Sequence, residues 1–469
     1  MLWDLLRFKD NIAVIDEFGT SLTYGELETE GKKLTSDITP RSLVFSLCRN
    51  EIGSLLGYVS FLNNGIVPVM LSSNMERELL DNLLENYAPA YLWVPNETVD
   101  DFAGMTETYK AFGYTLLATG YSKTYPLNDE LGLLLTTSGS TGSPKFVRQS
   151  YDNILCNAKS IVEYLELDEN ERPITTLPMN YTYGLSIINS HLLVGATILV
   201  TDKSLMQKEF WNFLKEEKAT SFGGVPYTYE ILDKIRFMRM DLPDFTTMTQ
   251  AGGKLMPELH EKFAKWAEEN GKKFVVMYGQ CEATARMGYL PHERAVEKKG
   301  SMGIAIPGGK FKLIDVNGET ITTPYTTGEL VYEGKNVTLG YAECGEDLIK
   351  GDERGGILVT GDMAQFDEDG YFYIVGRKKR FLKIFGNRVN LDETDRLIKA
   401  KFGIEAACAG VDDHMYIFVT DKEYEDKVKN YVSETMKLNP VAFKTIVIDE
   451  IPKNDAGKTL YKNLEKYYL

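Results

Sequence analysis

The chain contains no run of eighteen apolar residues, so no membrane-spanning helix is expected. Its first residues, Met1-Leu2-Trp3-Asp4-Leu5-Leu6-Arg7, lack the charged leader and apolar core of a signal peptide. The five cysteines, Cys48, Cys156, Cys281, Cys344 and Cys408, show no paired spacing. That argues against a zinc site and a disulfide framework, and it fits a reducing cytoplasm. Positive charge is in short supply: 52 Lys and Arg face 68 Asp and Glu, a net charge of −16, which disfavours nucleic acid as a main partner. No internal repeat is found.

What is present points to a folded, multi-domain protein. A length of 469 residues exceeds one hydrophobic core. A hydrophobic content of 43% with 26% charged residues is the ordinary globular mixture. From Gly376 onward there are 18 basic and 15 acidic residues, against 34 and 53 before it. A mildly basic tail region on an acidic body suggests two modules. The body then needs local cations if it binds an anion.

Residues 13–18, 43–47, 66–71 and 90–94 read as strands, as does the apolar run 131–135. Helices are expected at 23–34, where Thr23 and Glu26 have capping-box spacing, at 52–63 and at 76–85. This alternation predicts βαβ units and a mostly parallel sheet, an α/β fold. It continues with helices at 151–164, 185–193, 210–218 and 227–236, and strands at 174–177, 196–200, 221–226, 248–253 and 274–277. From Gly300 the character changes to short strands between Gly-rich turns, at 311–315, 328–332, 356–359, 364–367 and 371–375, an antiparallel β region. Beyond the basic connector Gly376-Arg377-Lys378-Lys379-Arg380, a compact α+β module is expected. Its helices fall at 391–402 and 423–436, its strands at 406–411, 415–420 and 445–451.

Four stretches carry chemistry. In Thr136-Thr137-Ser138-Gly139-Ser140-Thr141-Gly142-Ser143-Pro144-Lys145, eight of ten residues are Ser, Thr or Gly. Such small side chains let backbone N–H groups form a nest for phosphate oxygens, and Lys145 adds a point charge. The common P-loop differs, because Pro144 separates the last glycine from the lysine. The second stretch, Tyr278-Gly279-Gln280-Cys281-Glu282, follows a predicted central strand, at the sheet edge where ligands lie. Tyr278 could stack on a base, and Glu282 could hold a Mg²⁺ that bridges phosphates. In the third, Val359-Thr360-Gly361-Asp362, a carboxylate at a turn could accept both ribose hydroxyls. The last is Pro452-Lys453-Asn454-Asp455-Ala456-Gly457-Lys458-Thr459, where Lys458 lies beside a glycine and could reach another domain's cleft. Each stretch alone also has an ordinary structural reading: flexible loop, core tyrosine, Gly-Asp turn, solvated lysine.

Their order resembles the ANL superfamily of adenylate-forming enzymes: acyl-CoA synthetases, adenylation domains and luciferases. Leu22-Thr23-Tyr24-Gly25-Glu26-Leu27, Gly224-Val225-Pro226, Ala251-Gly252-Gly253, Gly328-Glu329-Leu330 and Gly340-Tyr341 extend the resemblance over essentially the whole chain. It implies an N-terminal adenylate-forming domain, residues 1–376, of mostly parallel sheets with a β-barrel-like subdomain, and a mobile α+β C-terminal domain, residues 377–469. It also implies ATP and Mg²⁺, a small or medium carboxylic acid activated as acyl-AMP, and a thiol acceptor, either CoA or the phosphopantetheine of an acyl carrier protein.

The resemblance assigns roles residue by residue. Thr137, Ser138, Gly139, Ser140, Thr141, Gly142 and Lys145 would hold the β- and γ-phosphates. Tyr278 and Gly279, with Gly252 and Gly253, would hold adenine, Asp362 the ribose with Arg377 near it, and Glu282 the Mg²⁺. Lys458 would bridge the attacking carboxylate and the α-phosphate. Lys379 fits the hinge position, and Gly386 would approach the thiol tunnel. Tyr181, Tyr183, His191, Tyr227, Ala251 and Gln280 would line the acid pocket. His191 reads equally as a sensor of a polar substituent or as a hydrogen-bonded core histidine.

The chain departs from the family pattern in places. Cys281 stands where threonine is usual, and Tyr181 where many CoA ligases carry histidine. No aspartate occurs between Ile174 and Thr201 to bind an α-ammonium, which favours a non-amino acid. Val411-Asp412-Asp413-His414-Met415 is a tight turn where many CoA ligases have a longer loop. Three readings therefore stay open: transfer to a thiol, transfer to an amine or hydroxyl, and a non-catalytic nucleotide-binding module.

Overall fold

The structure is a computed structural model and describes residues 2–136, 145–385, 387–454 and 457–468. The chain packs as two compact units. One comprises Met1–Lys299, Gly303–Lys310 and Glu333–Leu358; the other Gly300–Met302, Phe311–Tyr332 and Val359–Leu469.

The first unit is built on two larger sheets. At the centre of the eight-stranded one, Leu131–Thr136, Val67–Ser72, Leu43–Cys48 and Tyr91–Pro95 run parallel. Strands this deeply buried are continuous apolar runs, which is why they were readable. Antiparallel strands flank them: Phe146–Ser150 and Gly340–Ala342 on one side, the hairpin Tyr114–Ala118 and Thr106–Ala111 on the other. Helix Ile52–Asn63 is buried along its whole length, as its all-round apolar character requires. Helix Tyr24–Thr35 starts with the expected capping box between Thr23 and Glu26.

In the second sheet Ser221–Gly224, Thr247–Gln250 and Lys273–Tyr278 run parallel, followed by antiparallel Gly288–Leu290 and Ile304–Ala305. Helices Tyr151–Leu165 and Thr182–Val194 pack on each other. The strand expected at 174–177 forms only isolated bridges, Pro173 to Ser221 and Ile174 to Leu199. Strand Phe146–Ser150, directly after the Ser/Gly loop, was not expected.

The second unit carries most of a five-stranded sheet ordered Thr320–Ile321, Lys310–Ile314, Gly328–Glu333, Ile357–Phe366 and Phe372–Arg377. The two strands expected at 356–359 and 364–367 are one strand, Ile357–Phe366. Gly361 adopts φ +72° inside it, and the chain runs on through Thr360-Gly361-Asp362 instead of turning; the register then shifts between Met363 and Ala364, where Val375 of the neighbouring strand is the extra residue. Beyond the connector lie the hairpin Phe381–Ile384 and Asn387–Asn390, helix Leu391–Phe402, strands Ala406–Val411 and His414–Val419, helix Glu425–Met436 and strand Phe443–Val447. These last three strands form one mixed sheet over its own apolar core.

Candidate active site

In the first unit the carboxyl ends of two parallel strands, Thr247–Gln250 and Lys273–Tyr278, lead into the predicted site residues. After the first strand comes Ala251-Gly252-Gly253. Gln250 Nε2 pins this bend by donating to the carbonyls of Ala251, at 3.1 Å, and Gly253, at 2.9 Å. Gly252 has φ +83°, and a Cβ there would meet the Tyr181 hydroxyl at 2.8 Å. After the second strand comes Tyr278-Gly279-Gln280, with Gln280 Nε2 donating to the Tyr278 hydroxyl at 3.2 Å. A Cβ on Gly279 would lie 1.5 Å from the Ala285 carbonyl oxygen, so the turn closes only over glycine.

Glu282 sits in the short helical turn Cys281–Ala283. The next two residues have positive φ, Thr284 at 52° and Ala285 at 92°, a strained geometry for residues with a Cβ. Asn336 holds it by donating to the carbonyls of Ala283 (2.8 Å) and Arg286 (3.0 Å) and accepting, through its own carbonyl, from Thr284 Oγ1 (2.8 Å).

The Tyr341 hydroxyl donates to Glu282 Oε1 at 2.7 Å. Lys145 Nζ lies 4.0 Å from the centroid of the same ring and Arg354 Cζ 4.8 Å. Burial, then the nearby Glu282 charge, pushes the Tyr341 phenol up to about 12, so it stays a donor. Tyr341 thus gathers the predicted metal carboxylate and the predicted phosphate lysine. Sequence reasoning gave it no role, although Gly340-Tyr341 was among the matching stretches. Arg148, also missed, braces the strand carrying Tyr341. Fully buried, it donates to the carbonyls of Leu339, Tyr341, Lys350 and Gly351 and pairs with Glu353.

Thr137, Ser138, Gly139, Ser140, Thr141 and Gly142 lie outside the described residues. The flanking strands Leu131–Thr136 and Phe146–Ser150 pair antiparallel, with Thr136 opposite Phe146.

Several expected acid-pocket residues come together. Tyr183 and Ala251 share an apolar cluster with Val225 and Met277, and Tyr181 packs against it. The Tyr181 and Tyr183 rings meet edge to face at 6.3 Å, and the Tyr183 hydroxyl bonds Thr249 Oγ1 at 2.7 Å. Tyr227 stands largely exposed near the start of helix Pro226–Lys234. His191 is buried; its Nδ1–H donates to the Ile187 carbonyl at 2.7 Å, leaving Nε2 as a bare acceptor without a partner. Burial lowers its pKa to about 4, so the ring is neutral at physiological pH.

Sequence reasoning missed Arg286, just past the Glu282 motif. It is 3% exposed, its Nε donates to Ser186 Oγ (3.0 Å), its Nη1 to the Tyr164 hydroxyl (3.0 Å), and its guanidinium lies over the Tyr183 ring.

In the second unit Asp362 is buried opposite Arg377, with Arg377 Nε 3.6 Å from Asp362 Oδ1. Lys458 lies in a loop closed on itself: Asn454 N–H donates to the Lys458 carbonyl and Lys458 N–H to Asn454 Oδ1, both at 2.9 Å. Lys379 falls in the helical turn Lys378–Arg380, and Gly386 lies outside the described residues. Among the described residues no group of three or more His, Cys, Asp or Glu could hold a metal ion. A single carboxylate such as Glu282, completed by phosphate oxygens and water, is the donor set Mg²⁺ takes in phosphoryl-transfer sites. No helix among the described residues is long and apolar enough to cross a membrane.

Residues 3–342 match the AMP-binding enzyme family, and the chain belongs to it. The oxalate–CoA ligase of Arabidopsis thaliana is 28% identical over 356 residues, 73% of this chain and 68% of the relative. The 2-succinylbenzoate–CoA ligase of Oceanobacillus iheyensis is 25% identical over 481 residues, 97% of this chain and 96% of the relative. Among solved structures, the o-succinylbenzoate CoA synthetase of Bacillus subtilis in complex with its acyl-adenylate intermediate superposes with a TM-score of 0.79. It is 20% identical and covers 97% of this chain and 95% of that one. The expected adenylate-forming fold is therefore the fold of this chain.

Proposed function

We propose that the chain is an AMP-forming acid–thiol ligase. An oxygen of the acid's carboxylate attacks the α-phosphorus of ATP, the bond to the bridging oxygen breaks, and pyrophosphate leaves. The sulfur of a thiol, on CoA or a carrier's phosphopantetheine, then attacks the acyl carbon; AMP leaves and the thiol proton is released. The observation carrying this reading is the gathering of Glu282 and Lys145 around Tyr341, in a member of the AMP-binding enzyme family. Relatives named as CoA ligases support the thiol acceptor.

In this reading Lys145 holds the terminal phosphates with the Ser/Gly loop, and Tyr278 with Gly252 and Gly253 seats adenine. Asp362 and Arg377 take the ribose. Glu282 is the residue that would hold Mg²⁺, which when bound neutralises phosphate charge. Lys458 stabilises the charge that builds at phosphorus. The domain boundary near residue 376, with Lys379 as hinge, belongs to the same proposal.

Replacing Lys458 by alanine is expected to slow acid-dependent exchange of labelled pyrophosphate into ATP by about a hundred- to a thousandfold, the cost of one transition-state donor. Thioester formation from synthetic acyl-AMP should change little. Equal loss in both steps would refute the role.

One observation favours the second acceptor class, an amine or hydroxyl. The turn between Val411 and His414 is tied down: Asp412 accepts from the N–H of Lys383 at 2.8 Å and Asp413 from that of Phe385 at 2.6 Å. Adenylate without thioester, in the presence of acid, ATP and CoA, would select that reading.

A further inference from the structure

Arg286 has no carboxylate within ion-pair distance among the described residues, yet it is 3% exposed. Its partners are two hydroxyls, Ser186 and Tyr164, the sulfur of Met277 at 3.1 Å, and the face of Tyr183. All these hydrogen bonds use Nε and Nη1, and among the described residues none engages Nη2. A buried cation without a counter-charge is costly, and native proteins pair such groups or leave them to a ligand. The partners fix the plane of the guanidinium without neutralising it.

The location gives the second argument. Tyr183, whose ring lies under the guanidinium, belongs to the cluster that includes Ala251 and packs Tyr181. Tyr183, Ile187 and His191 recur every four residues on helix Thr182–Val194, on one face. His191 Nε2 is buried and unpartnered, and the Arg286 charge further lowers the basicity of that ring. A cation without a counter-charge among the described residues and a bare acceptor thus lie close enough to influence one another, with the cation over a tyrosine of the predicted acid pocket.

We propose that Arg286 is a specificity-determining residue that binds a second carboxylate on the acid, so that the substrate is a dicarboxylic acid. Guanidinium and carboxylate match as planar, charge-assisted partners. The His191 lone pair takes a hydrogen bond from a hydroxyl of the substrate or from a water bridging to it. The inference rests on the adenylation reading above, since it concerns the acid consumed there.

The test is pyrophosphate exchange with matched acids: succinate against butyrate, glutarate against valerate, and isophthalate against benzoate. The intact protein should prefer the diacid of at least one pair by about a hundredfold or more in kcat/KM, as expected when a site built for a polar group meets an analogue lacking it. In Arg286→Met the preference should collapse, with KM for the diacid rising and the monoacid gaining; a purely structural residue would not invert specificity. Arg286→Lys, which keeps the charge but loses the planar fork, should retain part of the preference. Monoacids favoured throughout, or a diacid preference untouched in both variants, would overturn the inference while leaving adenylation intact. Exchange with no acid at all would instead remove the adenylation reading, and this inference with it.

Discussion

Arg148 and Arg286 are both buried guanidinium groups in the first unit, and their surroundings differ in kind. Arg148 meets four carbonyls and the carboxylate of Glu353, so its charge is compensated within the fold. Arg286 meets hydroxyls, a sulfur and a ring, so its charge is oriented but not cancelled. A compensated buried cation acts as a clamp and an uncompensated one as a reader. The second unit supplies a further clamp in Arg380, which pairs with Asp392 and Asp395 and lies 3.5 Å from the Tyr461 ring centroid.

The contrast is broken most sharply by truncating the clamp. Arg148→Ala leaves carbonyls of Tyr341, Lys350 and Gly351 without this donor and opens a void, and should destabilise the first unit by about 3–5 kcal/mol. Denaturant unfolding measures this directly. A loss below about 1 kcal/mol would show that the network is replaceable by water and that Arg148 is no clamp. Arg286→Met exchanges an uncompensated charge for an apolar chain of similar length, so its stability cost should be much smaller than that of Arg148→Ala.

His191 gives a smaller effect with a defined sign. Its pKa falls from the ordinary 6.5 to about 4 in the fold, because burial penalises the charged ring. Below pH 6.5 the unfolded chain takes up a proton that the folded chain refuses until about pH 4. The stability contribution is therefore complete above pH 6.5 and is lost as pH falls toward 4, by up to about 3 kcal/mol. Urea midpoints across pH 7 to 4 should fall steeply in the intact protein and less in His191→Gln. Parallel slopes would mean that this imidazole is not buried neutral. The burial of His260 acts in the same direction and adds to the residual slope.

These residues also mark where sequence stops being informative. The parallel core and the Thr23 cap were readable because apolar runs and capping spacing are local signals. The hairpin of Thr106–Ala111 and Tyr114–Ala118 was not, since its outer strand is largely polar and its turn depends on positive φ at Phe112 and Gly113. Thr360-Gly361-Asp362 reads as a turn, yet the strand continues through it. In the candidate site, Ala251, Gly252, Tyr278 and Glu282 were legible as candidates because the motifs that carry the resemblance sit at or just past strand ends. Tyr341 escaped because its partner Glu282 is 59 residues away and the pairing depends on where strand Gly340–Ala342 lies at the sheet edge. Arg286 looks like any solvated arginine until the helix carrying Tyr183 and Ser186 is packed over it.

The smallest expected effect separates positioning from chemistry at Tyr341. The phenol donates to one oxygen of Glu282, while Lys145 and Arg354 lie near its ring. Tyr341→Phe keeps the ring, and with it both cation contacts, and removes the hydroxyl that bonds the carboxylate and also interacts with Arg354. A hydrogen bond to a charged group contributes about 1.5–3 kcal/mol, which at the low end corresponds to roughly a tenfold change. If Tyr341 aims Glu282 at the metal, the loss should appear as a higher Mg²⁺ requirement for pyrophosphate exchange, with near-normal rate at saturating Mg²⁺. Thermal stability should fall only by the loss of that one hydrogen bond, because the ring stays seated. A lower rate that excess Mg²⁺ cannot restore would place Tyr341 on the reacting groups instead. An unchanged Mg²⁺ dependence with full activity would show that Glu282 keeps its orientation without the phenol.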